Sequence, residues 1–246
     1  MTVLVTGASS GIGAAIVRAL RHSGRETVAV ARRRDRLEDL AKETGCRVEA
    51  LDLADLDRAD TLVRDVAPSA IVNNAGTGHG ITGLEKASEA DIAASIRLNV
   101  EAPIRIVRAA VPAMRERGGG HVVNIGSIAG LYPIVSALYG ATKGAVHLLS
   151  QNLRVELRGT GIRVTEIAPG RVTSEFYEAS NISAEDKARA TDTGIVELTP
   201  DDVARAVLFA LDSPPHVNIG LIELTPTEQA LGGIHMTPGP RQRGGT

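Results

Sequence analysis

The sequence predicts an α/β fold in which a parallel sheet carries helices on both faces. One reason lies in the first twenty residues, where the apolar run 3–5 is broken at Gly7, Gly11 and Gly13 and apolar residues then recur at the helical period. Strand-like and helix-like segments keep alternating along the chain, a pattern that right-handed crossovers convert into a parallel sheet. Because no Pro/Gly/Ser-rich linker interrupts this pattern, we expect a single domain over residues 1–235 and a flexible tail over 236–246.

Six further strands are predicted from short apolar runs that turn residues bound. They occupy residues 27–31, 47–51, 69–72, 121–125, 162–167 and 218–224. Helices are predicted between them from the 3.6-residue period and from capping residues, at 34–44, 52–66, 88–117, 137–158 and 200–211. The segment 172–198 is polar and shows little periodicity except near 184–190, so it predicts a mobile lid with a short helix.

The composition favours small-molecule chemistry over binding to nucleic acid or membranes. Lys and Arg number 27 against 29 Asp and Glu, aromatic residues make up 2% and Trp is absent, so neither a basic surface nor a stacking platform is expected. No apolar run approaches the roughly 18 residues of a membrane span, and Gly7 interrupts the first run too soon for a signal peptide. We therefore expect a cytoplasmic protein.

Cysteine usage predicts neither a disulfide nor a metal site. Cys46 is the only cysteine and cannot form an internal disulfide, and no Cys/His spacing is typical of a metal site. We expect Cys46 to be a small buried hydrophobe.

The glycine-rich turn after the first strand predicts a dinucleotide site. Glycines permit a tight turn and let backbone N–H groups approach a diphosphate, which the N-terminus of the next helix stabilises. Gly7, Gly11 and Gly13 follow the spacing GxxxGxG rather than GxGxxG, and a strand-to-helix turn without a ligand is the alternative interpretation.

Arg32 and Arg33 directly follow the second predicted strand, where cofactors without a 2′-phosphate usually meet an acidic residue. A 2′-phosphate needs a cation instead, so these residues predict NADP rather than NAD. The alternative is a solvated face of the helix, although cations at a helix N-terminus oppose its macrodipole.

Three polar residues of the long helices stand out. Tyr139 and Lys143 are four residues apart and therefore share one helix face. Asn99 lies among apolar residues, so it is expected either to bridge backbone segments or to hold a water molecule. A lysine one turn from a tyrosine favours the phenolate, which predicts a lowered tyrosine pKa.

Five motifs occur in one order: residues 6–13 (TGASSGIG), 73–76 (NNAG), Asn99, Gly126-Ser127, and 139–143 (YGATK) followed by Pro169-Gly170. Together they closely resemble the short-chain dehydrogenase/reductases over nearly the whole chain. The resemblance implies an extended Rossmann fold of about seven parallel strands, and a homotetramer or homodimer. Within that family, the basic end of the second strand and residues 223–229 are similar to the NADP-dependent 3-hydroxy acid and serine dehydrogenase type.

The same resemblance implies the roles of the site residues. Tyr139 would be the general acid/base, Ser127 the hydroxyl that binds the carbonyl, Lys143 the partner of ribose and tyrosine, and Asn99 the anchor of a proton-relay water. NADP(H) would be bound by Gly7, Ser9, Ser10, Gly11, Ile12, Gly13, Arg32, Arg33, Asp52, Leu53, Asn74, Ala75, Gly76, Tyr139, Lys143, Pro169, Gly170, Val172 and Thr173.

One departure from the family pattern is that Ser127 precedes Tyr139 by twelve positions, one fewer than usual, so Ser136 stays an alternative to it. Arg171 follows Pro169-Gly170 and either binds a substrate carboxylate or is solvated or phosphate-facing. His79 is expected to be a loop histidine without a role.

These motifs predict an NADPH-dependent reductase of a ketone or aldehyde that also works reversibly as an alcohol dehydrogenase. The alternatives are the same fold acting as an epimerase, dehydratase or imine reductase, and a non-catalytic module that senses the cofactor. The sequence leaves the substrate open.

Overall fold

A computed structural model describes residues 1–180 and 183–230 of the chain. Within these residues a single sheet of parallel strands has the order β3-β2-β1-β4-β5-β6-β7. The strands are β1 (Thr2–Thr6), β2 (Glu26–Ala31), β3 (Arg47–Ala50), β4 (Ala70–Asn73), β5 (Gly120–Ile125), β6 (Ile162–Pro169) and β7 (Leu221–Leu224). The strand order reverses between β1 and β4, and such switch points are where ligands of open parallel sheets bind.

Helices cover both faces of the sheet, as the sequence predicts. They are α1 (Gly11–His22), α2 (Arg34–Thr44), α3 (Leu56–Val66), α4 (Glu89–Ile96), α5 (Ala102–Glu116), α6 (Ala137–Glu156), α7 (Phe176–Ala179), α8 (Ala184–Thr191) and α9 (Pro200–Asp212). The α/β fold class with a parallel sheet is therefore confirmed.

Alternation along the strands divides the core into two layers. Val3 and Val5 of β1 are buried in the layer that α1, α2 and α9 cover, whereas Leu4 is buried in the layer that α3 and α5 cover. This is the two-residue period of a strand that is buried on both faces.

Several element boundaries differ from the sequence prediction. The helix predicted over 88–117 is divided by a π-helical turn, Arg97–Glu101, between α4 and α5. α3 begins at Leu56 rather than near 52, because the Asp55 side chain caps it by accepting a hydrogen bond from the Arg58 N–H at 3.2 Å. The predicted tail 236–246 lies outside the described residues.

The predicted lid 172–198 contains α7 and α8 rather than one short helix. Its two ends are joined, because Thr173 N–H donates to Leu198 C=O at 2.9 Å and Leu198 N–H donates to Arg171 C=O at 3.0 Å. Among the described residues, no helix combines the length and the apolarity that crossing a membrane requires.

Candidate active site

A cavity of about 920 Å³ opens at the carboxyl end of the sheet, and residues at or just beyond the ends of β1 to β6 line it. Its size is within the range of sites for small molecules and cofactors. Of the residues expected to act on substrate or cofactor, it brings together Gly7, Ser9, Ser10, Gly11, Ile12, Arg32, Arg33, Asp52, Leu53, Asn74, Ala75, Gly76, Ser127, Tyr139, Lys143, Pro169, Gly170 and Val172.

Two expected cofactor residues do not line the cavity. Gly13 packs inside the glycine turn, where a Cβ would overlap the carbonyl oxygen of Gly7. The Thr173 hydroxyl lies 3.3 Å from a carboxylate oxygen of Glu197, so its side chain is directed along the lid and away from the cavity. A contact between Thr173 and the cofactor stays a prediction.

The glycine turn has the shape that a dinucleotide diphosphate needs. Gly7 and Gly11 have φ values of +65° and +51°, which side chains with a Cβ rarely adopt. Asn74 Nδ2 donates to the Thr6 carbonyl at 2.9 Å and to that of Gly7 at 3.3 Å, which fixes the turn against the end of β4. The Ser10 side chain makes no capping hydrogen bond, so it leaves the first N–H groups of α1 for a bound anion. These residues fit NADP(H).

The arginine cluster extends further than the sequence predicts. Arg33 donates to Ser9 Oγ at 3.1 Å and to Ser10 Oγ at 2.6 Å, and both Arg33 and Arg36 contact the carboxylate of Glu175. Arg32 is more exposed, and its Nη1 lies 4.0 Å from Asp52. Sequence analysis missed Arg36 and Glu175. Arg36 follows Arg33 by three residues, and this spacing could have indicated Arg36.

The three expected catalytic side chains of β5 and α6 meet beside the cavity. Ser127 begins a 3₁₀ turn, Ile128–Gly130, and its Oγ accepts a hydrogen bond from Ala129 N–H at 3.1 Å. Lys143 Nζ lies 5.9 Å from the centre of the Tyr139 ring and donates to the Ile125 carbonyl at 2.8 Å. One strand end thus anchors both the serine and the lysine.

Burial shifts the pKa values of Tyr139 and Lys143. It raises the pKa of Tyr139 to about 12, although the contact with the Ser127 hydroxyl acts in the opposite direction. The sequence-based expectation of a lowered pKa is wrong, because Lys143 Nζ is directed at a backbone carbonyl while the phenol is desolvated. Burial lowers the pKa of Lys143 to about 8, opposed by the charge of Glu166.

A buried carboxylate lies behind the catalytic turn, which the sequence analysis missed. Glu166 of β6 is fully buried, and its Oε2 lies 2.7 Å from His147 Nδ1 of α6. Its Oε1 makes no hydrogen bond and lies against Gly126, where a Cβ would overlap it. Burial raises the pKa of Glu166, with His147 and Lys143 opposing. An acidic residue inside an apolar strand was the available signal.

Asn99 is in the π-helical turn and bridges two segments. Its Oδ1 accepts from Thr77 N–H at 2.8 Å, and its Nδ2 donates to the Thr77 carbonyl at 2.9 Å and to Thr142 Oγ1 at 3.1 Å. Of the two roles that its sequence context allows, the structure supports the bridge. Its side chain does not line the cavity.

The structure also shows where Ser136, Arg171 and His79 lie. Ser136 is 4% exposed, lines the cavity and has an Oγ without a hydrogen-bond partner. Arg171 lines the cavity and donates to the Tyr177 hydroxyl. His79 does not line it, and its Nδ1 lies 3.6 Å from Asp91 at the start of α4. The described residues hold no cluster of His, Cys, Asp or Glu that could bind a metal ion.

Known proteins resemble the chain over nearly its full length. NADP-dependent 3-hydroxy acid dehydrogenase YdfG of Escherichia coli is 38% identical over 248 residues, 96% of this chain and 99% of that protein. Sulfoacetaldehyde reductase 2 of Chromohalobacter salexigens is 35% identical over 93% and 95% of the two chains. A solved structure titled as the closed form of serine dehydrogenase complexed with NADP+ matches with a TM-score of 0.89 and 37% identity, over 97% of this chain and all of that one.

The family assignment follows from the match to a family model as well as from these relatives. The model described as short chain dehydrogenase matches residues 1–185, which include the glycine turn and the tyrosine and lysine of α6. The chain belongs to the short-chain dehydrogenase family of oxidoreductases, as its ordered motifs predict.

Proposed function

We propose that the protein reversibly reduces a ketone or aldehyde to an alcohol, with NADP(H) as its cofactor. The observation that carries the proposal is one cavity that joins the glycine turn and Arg33 to Ser127, Tyr139 and Lys143. Relatives over the whole chain are NADP-dependent or bound to NADP+, which supports the cofactor.

Different residues of the cavity would bind the cofactor and transfer the proton. The glycine turn and α1 would hold the diphosphate, and Arg33 the 2′-phosphate. When bound, NADPH supplies a hydride from C4 of its nicotinamide ring. Ser127 Oγ donates a hydrogen bond to the substrate carbonyl, and Tyr139 donates its proton to that oxygen as negative charge develops. The Lys143 ammonium stabilises the phenolate that remains.

A hydroxy acid or oxo acid is the proposed substrate class. Among the relatives are a 3-hydroxy acid dehydrogenase and a sulfoacetaldehyde reductase, whose names point to substrates with an anionic group. Arg171 lines the cavity beyond Pro169-Gly170, and its guanidinium donates to the Tyr177 hydroxyl and lies 4.0 Å from Glu197. A substrate carboxylate would bind there by replacing these contacts.

The test compares wild type with Tyr139→Phe, and Tyr132→Phe is the matched control because Tyr132 does not line the cavity. NADPH oxidation is followed with a panel of oxo acids and neutral carbonyl compounds. We expect Tyr139→Phe to lower kcat by about 10²-fold or more, the usual contribution of a general acid, and Tyr132→Phe to retain activity. Equal rates in all three proteins would refute the mechanism. Product formation without NADPH consumption would indicate epimerisation or dehydration instead.

A further inference from the structure

Glu175 lies in the lid, just before α7, and its carboxylate is between two guanidinium groups. One belongs to Arg33, directly before α2, and the other to Arg36, in the first turn of α2. Arg33 Nη1 donates to Glu175 Oε2 at 3.0 Å, and Arg36 Nη1 lies 2.6 Å and 2.7 Å from the two carboxylate oxygens. The remaining donors of Arg33 reach Ser9 and Ser10 in the glycine turn. An anion is therefore already held at the edge of the cofactor cavity, which Arg33 and Glu175 line, with Arg36 directly behind the Glu175 carboxylate.

Guanidinium groups bind carboxylates and phosphates with the same forked geometry. Arg33 is the residue assigned above to the 2′-phosphate, so that phosphate and Glu175 would bind the same guanidinium group. Two anions cannot share this group without repulsion. Each anion therefore weakens the binding of the other.

We propose that Glu175 is a specificity-determining residue that competes with the 2′-phosphate for Arg33 and Arg36, and that Arg36 is a second ligand of that phosphate. Binding of NADP(H) moves both guanidinium groups from Glu175 to the phosphate. NAD(H) has no such phosphate and leaves the Glu175 ion pairs in place. This inference rests on the proposed role of Arg33, and the experiment separates the two.

The exposure of these groups makes the exchange feasible. The side chains of Arg33, Arg36 and Glu175 are 42%, 43% and 43% exposed, and ion pairs this exposed are weak. Removing the competing charge should therefore tighten NADP+ binding by about 3- to 10-fold rather than by orders of magnitude.

The competition also connects the cofactor phosphate to the catalytic tyrosine. Phe176 directly follows Glu175, and its ring lies 5.4 Å from the ring of Tyr139, centre to centre. The next residue, Tyr177, accepts a hydrogen bond from Arg171. Release of Glu175 thus frees the start of the segment that forms this wall of the substrate pocket.

The test measures dissociation constants of NADP+ and NAD+ by titration calorimetry, without turnover. The variants are Glu175→Gln, Arg33→Ala, Arg36→Ala and the double variant Arg33→Ala/Glu175→Gln. Glu43→Gln is the matched control, because it removes a carboxylate that pairs with Arg18 at 2.7 Å outside the cavity lining. Each variant retains the whole chain.

Glu175→Gln should lower the Kd of NADP+ about 3- to 10-fold and change that of NAD+ less than about 2-fold, whereas Glu43→Gln changes neither. Arg33→Ala and Arg36→Ala should both weaken NADP+ selectively, and Glu175→Gln should have a smaller effect once Arg33 is absent, because it then frees Arg36 alone. If Arg33→Ala leaves NADP+ binding unchanged, the phosphate assignment fails and the competition fails with it. If Arg33→Ala weakens NADP+ but Glu175→Gln does not tighten it, or tightens NAD+ equally, only the role of Glu175 is refuted.

Discussion

Lys143 combines a charge with nearly complete burial. It is 7% exposed, and desolvation lowers its pKa from 10.5 to about 8. The unfolded chain therefore binds more protons than the folded chain between pH 8 and about 10.5, so the free energy of unfolding rises with pH in that window. A charge held in this way disfavours folding at neutral pH, and we attribute its retention to catalysis.

Lys143→Met removes this dependence on pH. Relative to wild type, the variant should lose on the order of 3 kcal/mol of stability as pH rises from 7 to 10.5, since each pKa unit corresponds to about 1.4 kcal/mol. Urea unfolding at three pH values measures the difference, with the exposed Lys42→Met as control. If the free energies of unfolding of variant and wild type differ by the same amount at every pH, Lys143 does not have a lowered pKa.

Gly126 is constrained by the carboxylate behind it. A Cβ there would overlap Glu166 Oε1, and Glu166 is fully buried and cannot move into solvent. Gly126→Ala should therefore lower the free energy of unfolding by about 1–3 kcal/mol and displace Ser127. Gly144→Ala is the control, because its nearest neighbour would be 3.9 Å from the new Cβ and alanine favours a helix. Thermal unfolding of both variants measures the difference. Equal stability of the two would contradict the close approach of Gly126 to Glu166.

At the scale of elements, the π-helical turn Arg97–Glu101 holds the site together. Asn99 in this turn binds Thr77 after β4 and Thr142 on α6, so it fixes the two walls on either side of the catalytic residues. π-helical turns inside α-helices are frequent at functional sites. The position of Tyr139 thus depends on a residue that does not line the cavity.

Asn99→Ala removes three hydrogen bonds and leaves Thr77 N–H and C=O without that partner. We expect a loss of about 2 kcal/mol or more in the free energy of unfolding, because unsatisfied buried backbone groups are costly. The exposed Asn152→Ala on α6 should change it by less than about 0.5 kcal/mol. Chemical denaturation measures both, and similar values for the two variants would count against the bridge.

At the scale of the whole molecule, α5 and α6 carry large apolar side chains on the surface. Ile104 is 42% exposed, and Leu148 and Val155 are 55% and 62% exposed. Exposed apolar surface can mark association sites, and the homotetramer or homodimer that the family resemblance implies stays a prediction.

Leu148→Glu places a charge on this face and should reduce the assembly to a smaller one. Light scattering coupled to size-exclusion chromatography measures the mass, and Arg158→Glu, near the end of α6, controls for added negative charge. A wild-type mass of a single chain would contradict the prediction of an oligomer.

The parallel sheet and the positions of most site residues follow from local sequence patterns. Strand ends place Gly7 and Ser127 at one edge of the sheet, whereas the family resemblance implied that Tyr139 joins them there, and all three line the cavity. Contacts between distant segments could not be predicted. Glu175 meets Arg33 across 142 positions, and only folding of the lid brings them together. The raised pKa of Tyr139 also depends on burial, which spacing alone does not give.

The central claim is that Tyr139 faces the reactive end of a nicotinamide whose diphosphate lies on the glycine turn. A crystal structure of the complex with NADP+ tests it most directly. We predict a nicotinamide C4 close enough to the Tyr139 hydroxyl for a carbonyl group to contact both, with each contact about 3–3.5 Å long. A nicotinamide ring bound away from Tyr139, beyond the reach of a carbonyl between them, would contradict the account.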